Sequence, residues 1–236
     1  MNAQRVLDVV LASLALVAVT PLLGAAALGI RLAGPGPIFY CARRIGLHTR
    51  PFTMYKLRTM RLGQAYSSSA ITAKHDPRVF PFGAFLRRAK VDELPQLFNI
   101  LRGDMAIVGP RPEVPRMVEL FYAPLHYETF RVLPGLTSPG SIYAYTHGEA
   151  QLDASDPERC YAERLLPLKL ALDLVYVRRA SLAYDLALIA RTAWMLGTAL
   201  LGRCSFPLPP ELPDARRIME MQQQRAQPLS GVRRNL

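Results

Sequence analysis

The sequence is poor in the residues that build metal centres and disulfide frameworks. Its 236 residues include three cysteines and four histidines. Cys41, Cys160 and Cys204 lie far apart, and no CxxC or paired Cys/His spacing of a structural zinc site is present. We therefore predict no zinc site and reduced cysteines, as in a protein exposed to the cytoplasm. No internal repeat is visible, which excludes solenoid architectures.

Acidic residues are also scarce, 18 against 29 basic ones, so that the net charge is +11 and the pI about 10.0. Most of this excess lies between Arg31 and Arg131, where 16 residues are basic and 7 acidic. No recognisable nucleic-acid-binding module accompanies the charge, so nucleic acid is not predicted as a partner. The charge instead indicates anionic membrane lipids and a phosphorylated substrate.

One long stretch, the 22 residues from Val9 to Ile30, has no charge at all. As a helix rising about 1.5 Å per residue it would cover about 33 Å, enough for a hydrocarbon core of about 30 Å. A cleaved signal peptide is disfavoured, because Asp8 precedes the stretch and the apolar run is long. A simple spanning helix and a hairpin bent at Thr20-Pro21 both remain open. In the hairpin, Arg5 and Asp8 would form a neutralising pair at the cytoplasmic interface.

Periodicity and turn residues predict a mainly helical α+β fold with one small β-hairpin and amphipathic helices at the membrane interface. The hairpin strands are predicted at 38–41 and 52–57, and the helices at 82–88, 92–101, 168–179 and 182–201. Beyond Gly202 five prolines and few large apolar residues predict a polar, disordered tail. The chain thus divides into a membrane helix at 1–32, a cytoplasmic domain at 33–202 and a tail at 203–236.

Asp92 and Glu93 are the strongest catalytic candidates, because they precede the apolar face of the predicted helix 92–101. On the dipeptide alone, helix capping by Asp92 is favoured over catalysis. Arg88 and Arg111, the latter between two prolines, shift the interpretation toward phosphoryl chemistry. Mg²⁺ would then bridge a carboxylate and phosphate oxygens, or a carboxylate would attack phosphorus. A salt-bridged core would use the same residues, so spacing alone leaves this undecided.

An ordered series of motifs resembles the monotopic phosphoglycosyl transferases, bacterial sugar transferases that start glycan assembly on a polyprenyl phosphate. The resemblance covers about residues 4–201, and chance is an improbable source of so long a series. The motifs are Arg5 with Asp8, Gly36–Phe39, Arg44–Gly46, Phe52–Met60, Asp76–Val79, Asp92–Leu97 with Asn99, Arg102–Met105, Val108–Glu113 and Leu133–Thr137. Asp173, Tyr176, Ser181 and Asp185 fit the C-terminal pattern.

The resemblance implies a ping-pong phosphosugar transferase with Asp92 as nucleophile and Glu93 as the Mg²⁺ ligand. Arg111, with Arg88 nearby, would hold a substrate phosphate. A UDP-sugar would transfer its phosphosugar to Asp92 with release of UMP, and undecaprenyl phosphate would then accept it. Thr20-Pro21 matches the break of the family's re-entrant helix, which favours the hairpin. The resemblance also implies the bacterial inner membrane, a catalytic domain at 33–202 on the cytoplasmic face, the minimal catalytic-domain type, and downstream glycosyltransferases as possible partners.

The sequence departs from the family pattern at Lys90 and over 138–149, so no sugar, pathway or oligomeric state is assigned. Two other functions remain open. One is a catalytically silent membrane scaffold that recruits glycan-assembly proteins, against which the intact Asp92, Glu93 and Arg111 argue. The other is a spanning transferase that works by direct, single displacement.

Overall fold

A computed structural model describes residues 3–61, 76–148 and 156–226 of the chain. The mainly helical prediction is confirmed. The helices are α1 (Ala3–Leu32), α2 (Pro81–Arg88), α3 (Gln96–Arg102), α4 (Pro115–Phe121), α5 (Pro139–Tyr143), α6 (Pro157–Cys160), α7 (Leu166–Arg179), α8 (Leu182–Leu200) and α9 (Leu212–Ala226). The strands are β1 (Phe39–Ile45), β2 (Pro51–Leu57), β3 (Ala106–Val108) and β4 (Gly135–Thr137). A 3₁₀ turn at Val91–Glu93 and a π-helical turn at Ala144–Gly148 matter for the site.

The predicted β-hairpin is confirmed, with β1 and β2 antiparallel and Cys41 opposite Tyr55. Strand β1 continues further than predicted, to Ile45, because Arg43 and Arg44 still pair with the opposite strand. The second pair, β3 with β4, is parallel and was not predicted. Three-residue strands are too short to give a periodic signal, and their pairing joins segments far apart in the sequence.

Helix α1 is one uninterrupted helix, and it is the one helix within the described ranges that is long and apolar enough to cross a membrane. Thr20 and Pro21 lie inside it, and the Thr20 hydroxyl donates a hydrogen bond to the Leu16 carbonyl at 2.7 Å. The predicted break is therefore not an interruption of the helix. The hairpin topology stays a prediction.

Both ends of α1 are bonded to the same body. Near its start, the Gln4 amide donates to Asp185 at 2.8 Å and the Arg5 guanidinium to the Leu101 carbonyl at 3.1 Å. Near its end, the buried Arg58 guanidinium donates to the carbonyls of Ile30, at 3.2 Å, and of Gly34 and Pro35. A cation at a helix C-terminus satisfies carbonyls that have no partner within the helix. The helix is thus fixed to the body at both termini.

Helix α7 lies at the centre of the body. The amphipathic pattern predicted for 168–179 is wrong for most of the helix, because every residue from Lys169 to Tyr176 is buried, including Lys169 and Asp173. Two polar residues on a buried helix are tolerated only if they are hydrogen-bonded or paired. Helix α8, predicted at 182–201, is confirmed at Leu182–Leu200, and the Ser181 hydroxyl accepts the Tyr184 N–H at its start.

The disordered tail predicted for 203–236 is wrong for the described part of that segment. Helix α9 packs on α7, with Ala215 and Ile218 buried there. The carboxylate of Glu211, also buried, accepts hydrogen bonds from Tyr184 at 2.7 Å and from Arg191 at 2.9 Å. Arg191, on α8, is thus paired with a residue of the segment beyond Gly202.

Candidate active site

Asp92 and Glu93 lie on a short 3₁₀ turn between α2 and α3. The expectation that Asp92 caps the following helix is wrong: α3 begins at Gln96, and its N-cap position is Pro95, without a side-chain cap. The 3₁₀ turn provides backbone partners instead, since the N–H groups of Glu93 and Leu94 bond the carbonyls of Lys90 and Val91. The Asp92 carboxylate is therefore not consumed by capping.

The Asp92 side chain is buried, with 6% of the residue exposed. Its Oδ1 has no hydrogen-bond partner among the described residues. Burial raises the pKa of Asp92, and the negative charge of Glu93 raises it further, while Lys56, Lys90 and Arg87 act in the opposite direction. A buried carboxylate oxygen without a partner is costly and is a frequent mark of a catalytic group.

Glu93 is held by two cations. The Arg111 guanidinium contacts it as a fork, with Nη1 3.0 Å from Oε2 and Nη2 on Oε1, and the Lys56 ammonium lies 3.2 Å from Oε1. Burial alone would raise the pKa of Glu93, but the charges of Arg111 and Lys56 lower it well below its ordinary value. Glu93 is therefore ionised in the folded chain. Burial alone would lower the pKa of Arg111, but the charge of Glu93 raises it above its ordinary value.

Lys56 is a site residue that sequence reasoning missed, although it lies in one of the quoted motifs. It is on β2, whose position next to α3 is fixed by Asn99: the Asn99 amide accepts the Tyr55 N–H at 3.0 Å and donates to the Thr53 carbonyl at 2.7 Å. The signal was the strand period, since Met54 is fully buried and Lys56 projects from the same face. Burial lowers the pKa of Lys56 to about 8, against the opposing effect of Glu93.

The loop that carries Arg111 is anchored on both sides. The Gly109 N–H bonds the Thr137 carbonyl at 2.9 Å, and the Gly135 N–H bonds the Pro110 carbonyl at 3.0 Å. A Cβ at Gly135 would lie 2.2 Å from the Gly109 nitrogen, so this close approach of two backbones requires glycine. The guanidinium therefore comes from a rigid segment, as the flanking prolines predicted.

Behind this loop lies a second buried group of charges, which sequence reasoning also missed. The Lys169 ammonium contacts Glu113 Oε1 at 2.6 Å, and the Tyr161 hydroxyl donates to the same oxygen. Burial alone would raise the pKa of Glu113, but the charge of Lys169 keeps it below its ordinary value. Asp173 accepts the Gly140 N–H at 3.1 Å, and burial raises its pKa to about 6. Lys169 and Asp173 are one helical turn apart in the sequence, and this spacing does not indicate that the helix is buried around them.

The structure brings Asp92, Glu93 and Arg111 together, as the sequence predicted. Arg88 is exposed at the end of α2, and its phosphate-binding role stays a prediction. Arg5 and Asp8 lie at the start of α1, where each also bonds a backbone group: Arg5 the Leu101 carbonyl, and Asp8 the Ile107 N–H at 2.9 Å. Their position at a membrane interface stays a prediction.

Gln96, the first residue of α3, adds two further buried polar atoms. It is fully buried one turn after Asp92, and neither its amide nitrogen nor its oxygen has a partner among the described residues. The polar groups at the start of α3 are therefore incompletely satisfied by the chain itself, which is typical of a site that receives a polar ligand.

Comparison with known proteins gives consistent matches. The model of the family described as "Bacterial sugar transferase" matches residues 1–199. The chain is similar to the UDP-glucose:undecaprenyl-phosphate glucose-1-phosphate transferase of Xanthomonas campestris pv. campestris, with 39% identity over 81% of this chain and 38% of that protein. It is also similar to the UDP-N-acetylgalactosamine-undecaprenyl-phosphate N-acetylgalactosaminephosphotransferase of Aeromonas hydrophila, with 32% identity over 80% of this chain and 42% of that protein.

A shorter relative is covered more completely. The exopolysaccharide production protein ExoY of Sinorhizobium fredii (strain NBRC 101917 / NGR234) is 37% identical over 80% of this chain and 83% of that protein. The chain thus spans well under half of the Xanthomonas and Aeromonas proteins and most of ExoY. Residues 1–199, which match the family model, contain the carboxylate pair, the Arg111 loop and helix α1.

Proposed function

Because the chain belongs to the bacterial sugar transferase family, we propose that it transfers a phosphosugar from a UDP-sugar to undecaprenyl phosphate. The products are UMP and an undecaprenyl-diphosphosugar, the first lipid-linked intermediate of a polysaccharide or glycoconjugate. The names of the relatives, which act on UDP-glucose or UDP-N-acetylgalactosamine with undecaprenyl phosphate, support the substrate classes.

The observation that carries the proposal is the contrast between two adjacent carboxylates. Glu93 is an anion paired with Arg111 and Lys56, whereas Asp92 has a buried oxygen without a partner and a raised pKa. Such a pair divides naturally into one carboxylate that organises positive charge and one that reacts. A more basic carboxylate is also the stronger nucleophile.

In the proposed first step, a carboxylate oxygen of Asp92 attacks the phosphorus that bears the sugar. The bond from that phosphorus to the bridging oxygen breaks, and UMP leaves with the oxygen and the bonding electron pair. In the second step, an oxygen of undecaprenyl phosphate attacks the phosphorus of the aspartyl phosphosugar, and the Asp92 carboxylate leaves. Arg111 would hold the diphosphate through its fork of donors, since guanidinium binds phosphate in the same planar geometry as carboxylate.

The residues present fit a Mg²⁺ ion shared with the substrate. Mg²⁺ binds through one or two carboxylates together with phosphate oxygens and water, and the turn supplies Glu93 and Asp92, the latter with an unpartnered oxygen. In the described ranges no group of three or more His, Cys, Asp or Glu side chains could hold a metal, so phosphate and water would complete the coordination. Bound at Glu93, the ion would neutralise charge on the diphosphate.

We further propose that the chain enters the bacterial inner membrane from the cytoplasmic face and returns to it. The support is that both ends of α1 are bonded to one body, through Arg5 and Gln4 at the start and Arg58 at the end. A simple spanning helix would place the start of α1 across the bilayer from residues it contacts. The apolar side chains of Leu14, Val17 and Leu28 are exposed, as expected of a helix that faces lipid.

The enzymatic proposal is tested with the full chain in detergent or nanodiscs, given UDP-sugars, Mg²⁺ and undecaprenyl phosphate. We expect UMP release that depends on undecaprenyl phosphate for sustained turnover, and a phosphosugar trapped on the wild-type chain but not on Asp92→Asn. No UMP release with any UDP-sugar would instead favour the silent scaffold. Full turnover without a trapped intermediate, equal in Asp92→Asn, would favour direct displacement.

The topology is tested by cysteine labelling in intact cells. A variant with Cys41→Ser, Cys160→Ala and Cys204→Ser provides the background, and Asn2→Cys adds one thiol that precedes α1 in the sequence. We expect a membrane-impermeant maleimide to label this thiol only after the cells are opened. Labelling in intact cells with a permeable outer membrane would eliminate the hairpin.

A further inference from the structure

A contact between two partly buried side chains joins the catalytic turn to a distant segment. Lys90 lies two residues before Asp92, and its Nζ is 4.7 Å from the centroid of the Tyr145 ring. Tyr145 belongs to the π-helical turn Ala144–Gly148. An ammonium within about 6 Å of an aromatic centroid is attracted to the ring face. The contact therefore fixes the distance between the turn that carries the carboxylates and the π-helical turn.

The backbone of Lys90 is held in an uncommon conformation. Its φ is 56°, in the left-handed region that residues other than glycine adopt rarely and often at functional sites. Two backbone hydrogen bonds maintain it, from the Lys90 N–H to the Arg87 carbonyl at 3.1 Å and from the Glu93 N–H to the Lys90 carbonyl at 3.3 Å. The position from which the Lys90 side chain starts is thus set by the turn itself.

The π-helical turn is also braced. Tyr145 packs against the core cluster that contains Val108 and Leu188. The His147 ring is stacked on Tyr143, with centroids 5.3 Å apart and planes 9° apart, and its Nδ1 lies 2.7 Å from the Thr146 hydroxyl. π-Helical turns are rare and frequently occur at functional sites. The π-helical turn therefore holds the Tyr145 ring in a fixed position beside Lys90.

Lys90 lies within electrostatic range of the nucleophile, because its charge acts on both Asp92 and Glu93. The other two cations, Arg111 and Lys56, contact Glu93 directly, and the Lys90 ammonium lies over the Tyr145 ring. The Arg111 guanidinium and the Lys56 ammonium, both on Glu93, suit the negative charge of a diphosphate. The Lys90–Tyr145 pair offers a different group, an ammonium positioned by the face of an aromatic ring.

We propose that the Lys90–Tyr145 pair lines the sugar subsite and discriminates among UDP-sugars. The inference rests on the proposed function. The phosphorus that Asp92 attacks bears the sugar, so the sugar must lie within a few ångströms of Asp92 and its neighbours. The Lys90 ammonium can donate hydrogen bonds to hydroxyl or acetamido oxygens of the sugar, and the ring face beneath it holds the ammonium in position. The pair holds these two elements in a fixed relation.

The test compares UDP-glucose with UDP-N-acetylgalactosamine as donors for the full chain. Lys90→Met removes the ammonium and keeps most of the stem, and Tyr145→Leu removes the ring. We expect each to change the ratio of the two kcat/KM values for UMP release by roughly tenfold, the low end of the discrimination that differing substrate contacts give. The double variant should change it little more than either single variant, because the two side chains act as a pair.

Two variants serve as controls. Tyr145→Phe keeps the ring face and is expected to hold the wild-type sugar ratio within about threefold, as conservative substitution should. Arg164→Met removes an exposed positive charge from another part of the chain, and should leave the ratio unchanged. An equal fall with both sugars in Lys90→Met and Tyr145→Leu would overturn the proposal, since it would assign the pair a general electrostatic or structural role.

A binding measurement separates this proposal from the proposed reaction. Dissociation constants of the two UDP-sugars and of UMP are measured for Asp92→Asn with and without Lys90→Met or Tyr145→Leu. We expect the affinity ratio of the two UDP-sugars to change and the affinity for UMP to stay the same. A change in UMP affinity with a constant sugar ratio would place the pair at the nucleotide and overturn the inference, whether or not the wild type turns over.

Discussion

Arg111 and Glu93 face each other through two parallel contacts, in which both terminal nitrogens of the guanidinium meet both carboxylate oxygens. The donors that the proposed substrate phosphate would use are therefore satisfied by Glu93 when the substrate is absent. The fork is pre-organised by this pairing, and the ordering cost is met before the substrate binds. The diphosphate then has to compete with Glu93 or share the guanidinium with it.

The first prediction concerns this fork. Arg111→Lys keeps the charge but loses one of the two parallel hydrogen bonds, worth about 1.5–3 kcal/mol for a charged group. We expect kcat/KM for UMP release to fall roughly ten- to hundredfold, with thermal stability little changed. Arg111→Met leaves Glu93 with Lys56 as its cation, so it should lose stability as well as activity. Equal loss of stability in both variants would contradict a specific role for the fork.

The second prediction concerns pH. The pKa of Lys56 is lowered to about 8 by burial, so its charge is present below pH 8 and is lost as the pH rises through that value. The pKa of Asp92 is raised, so the carboxylate becomes protonated at a higher pH than an ordinary aspartate. We expect a bell-shaped dependence of kcat/KM for UMP release, with an alkaline limb near pH 8.

Lys56→Arg separates these two limbs, because arginine stays charged well above pH 10. In this variant the alkaline limb should move upward and the acid limb should stay in place. A limb near pH 8 that persists in Lys56→Arg would assign that titration to another group.

The sequence predicted those parts of the site whose signals lie close together in the chain. The apolar spacing at 92–101 and the prolines beside Arg111 are local signals, and they led to the carboxylates and the loop. Lys56 lies on β2, and the strand period indicates which face of the strand it occupies, but only the contact of β2 with Asn99 on α3 brings that face to Glu93. The prediction that Asp92 caps the helix is wrong because a 3₁₀ turn supplies the backbone partners that a cap would supply. The burial of Lys169 depends on packing around all of α7.

The third prediction concerns the buried pair Glu113–Lys169. Lys169 is 2% exposed and Glu113 5%, so removing one partner leaves a buried charge uncompensated. Lys169→Met should lower the free energy of unfolding by about 3–5 kcal/mol. The double variant Glu113→Gln with Lys169→Met should be more stable than Lys169→Met alone, as read from denaturant unfolding in micelles.

The exposed pair Arg159–Glu163 provides a matched control, since both side chains are largely solvated. The same cycle, Arg159→Met with Glu163→Gln, should show no measurable coupling, because solvent screens such a pair. Additive effects at Glu113 and Lys169 would mean that the interior pair is likewise independent, contrary to its geometry.

The last prediction concerns helix α9, which lies beyond the residues matched by the family model. Ile218 is buried against α7, whereas Met221 on the same helix is about half exposed. Ile218→Ala should lower the free energy of unfolding by about 2–4 kcal/mol, because it leaves a cavity in the core, and Met221→Ala should change it little.

Trp194, the one tryptophan of the chain, contacts Phe206 in the segment that leads to α9. Its fluorescence should therefore report detachment of the tail. Detachment at a lower temperature than global unfolding would show that α9 folds onto a body that is already stable without it. A single transition, shifted by Ile218→Ala and not by Met221→Ala, would make the tail part of the cooperative core.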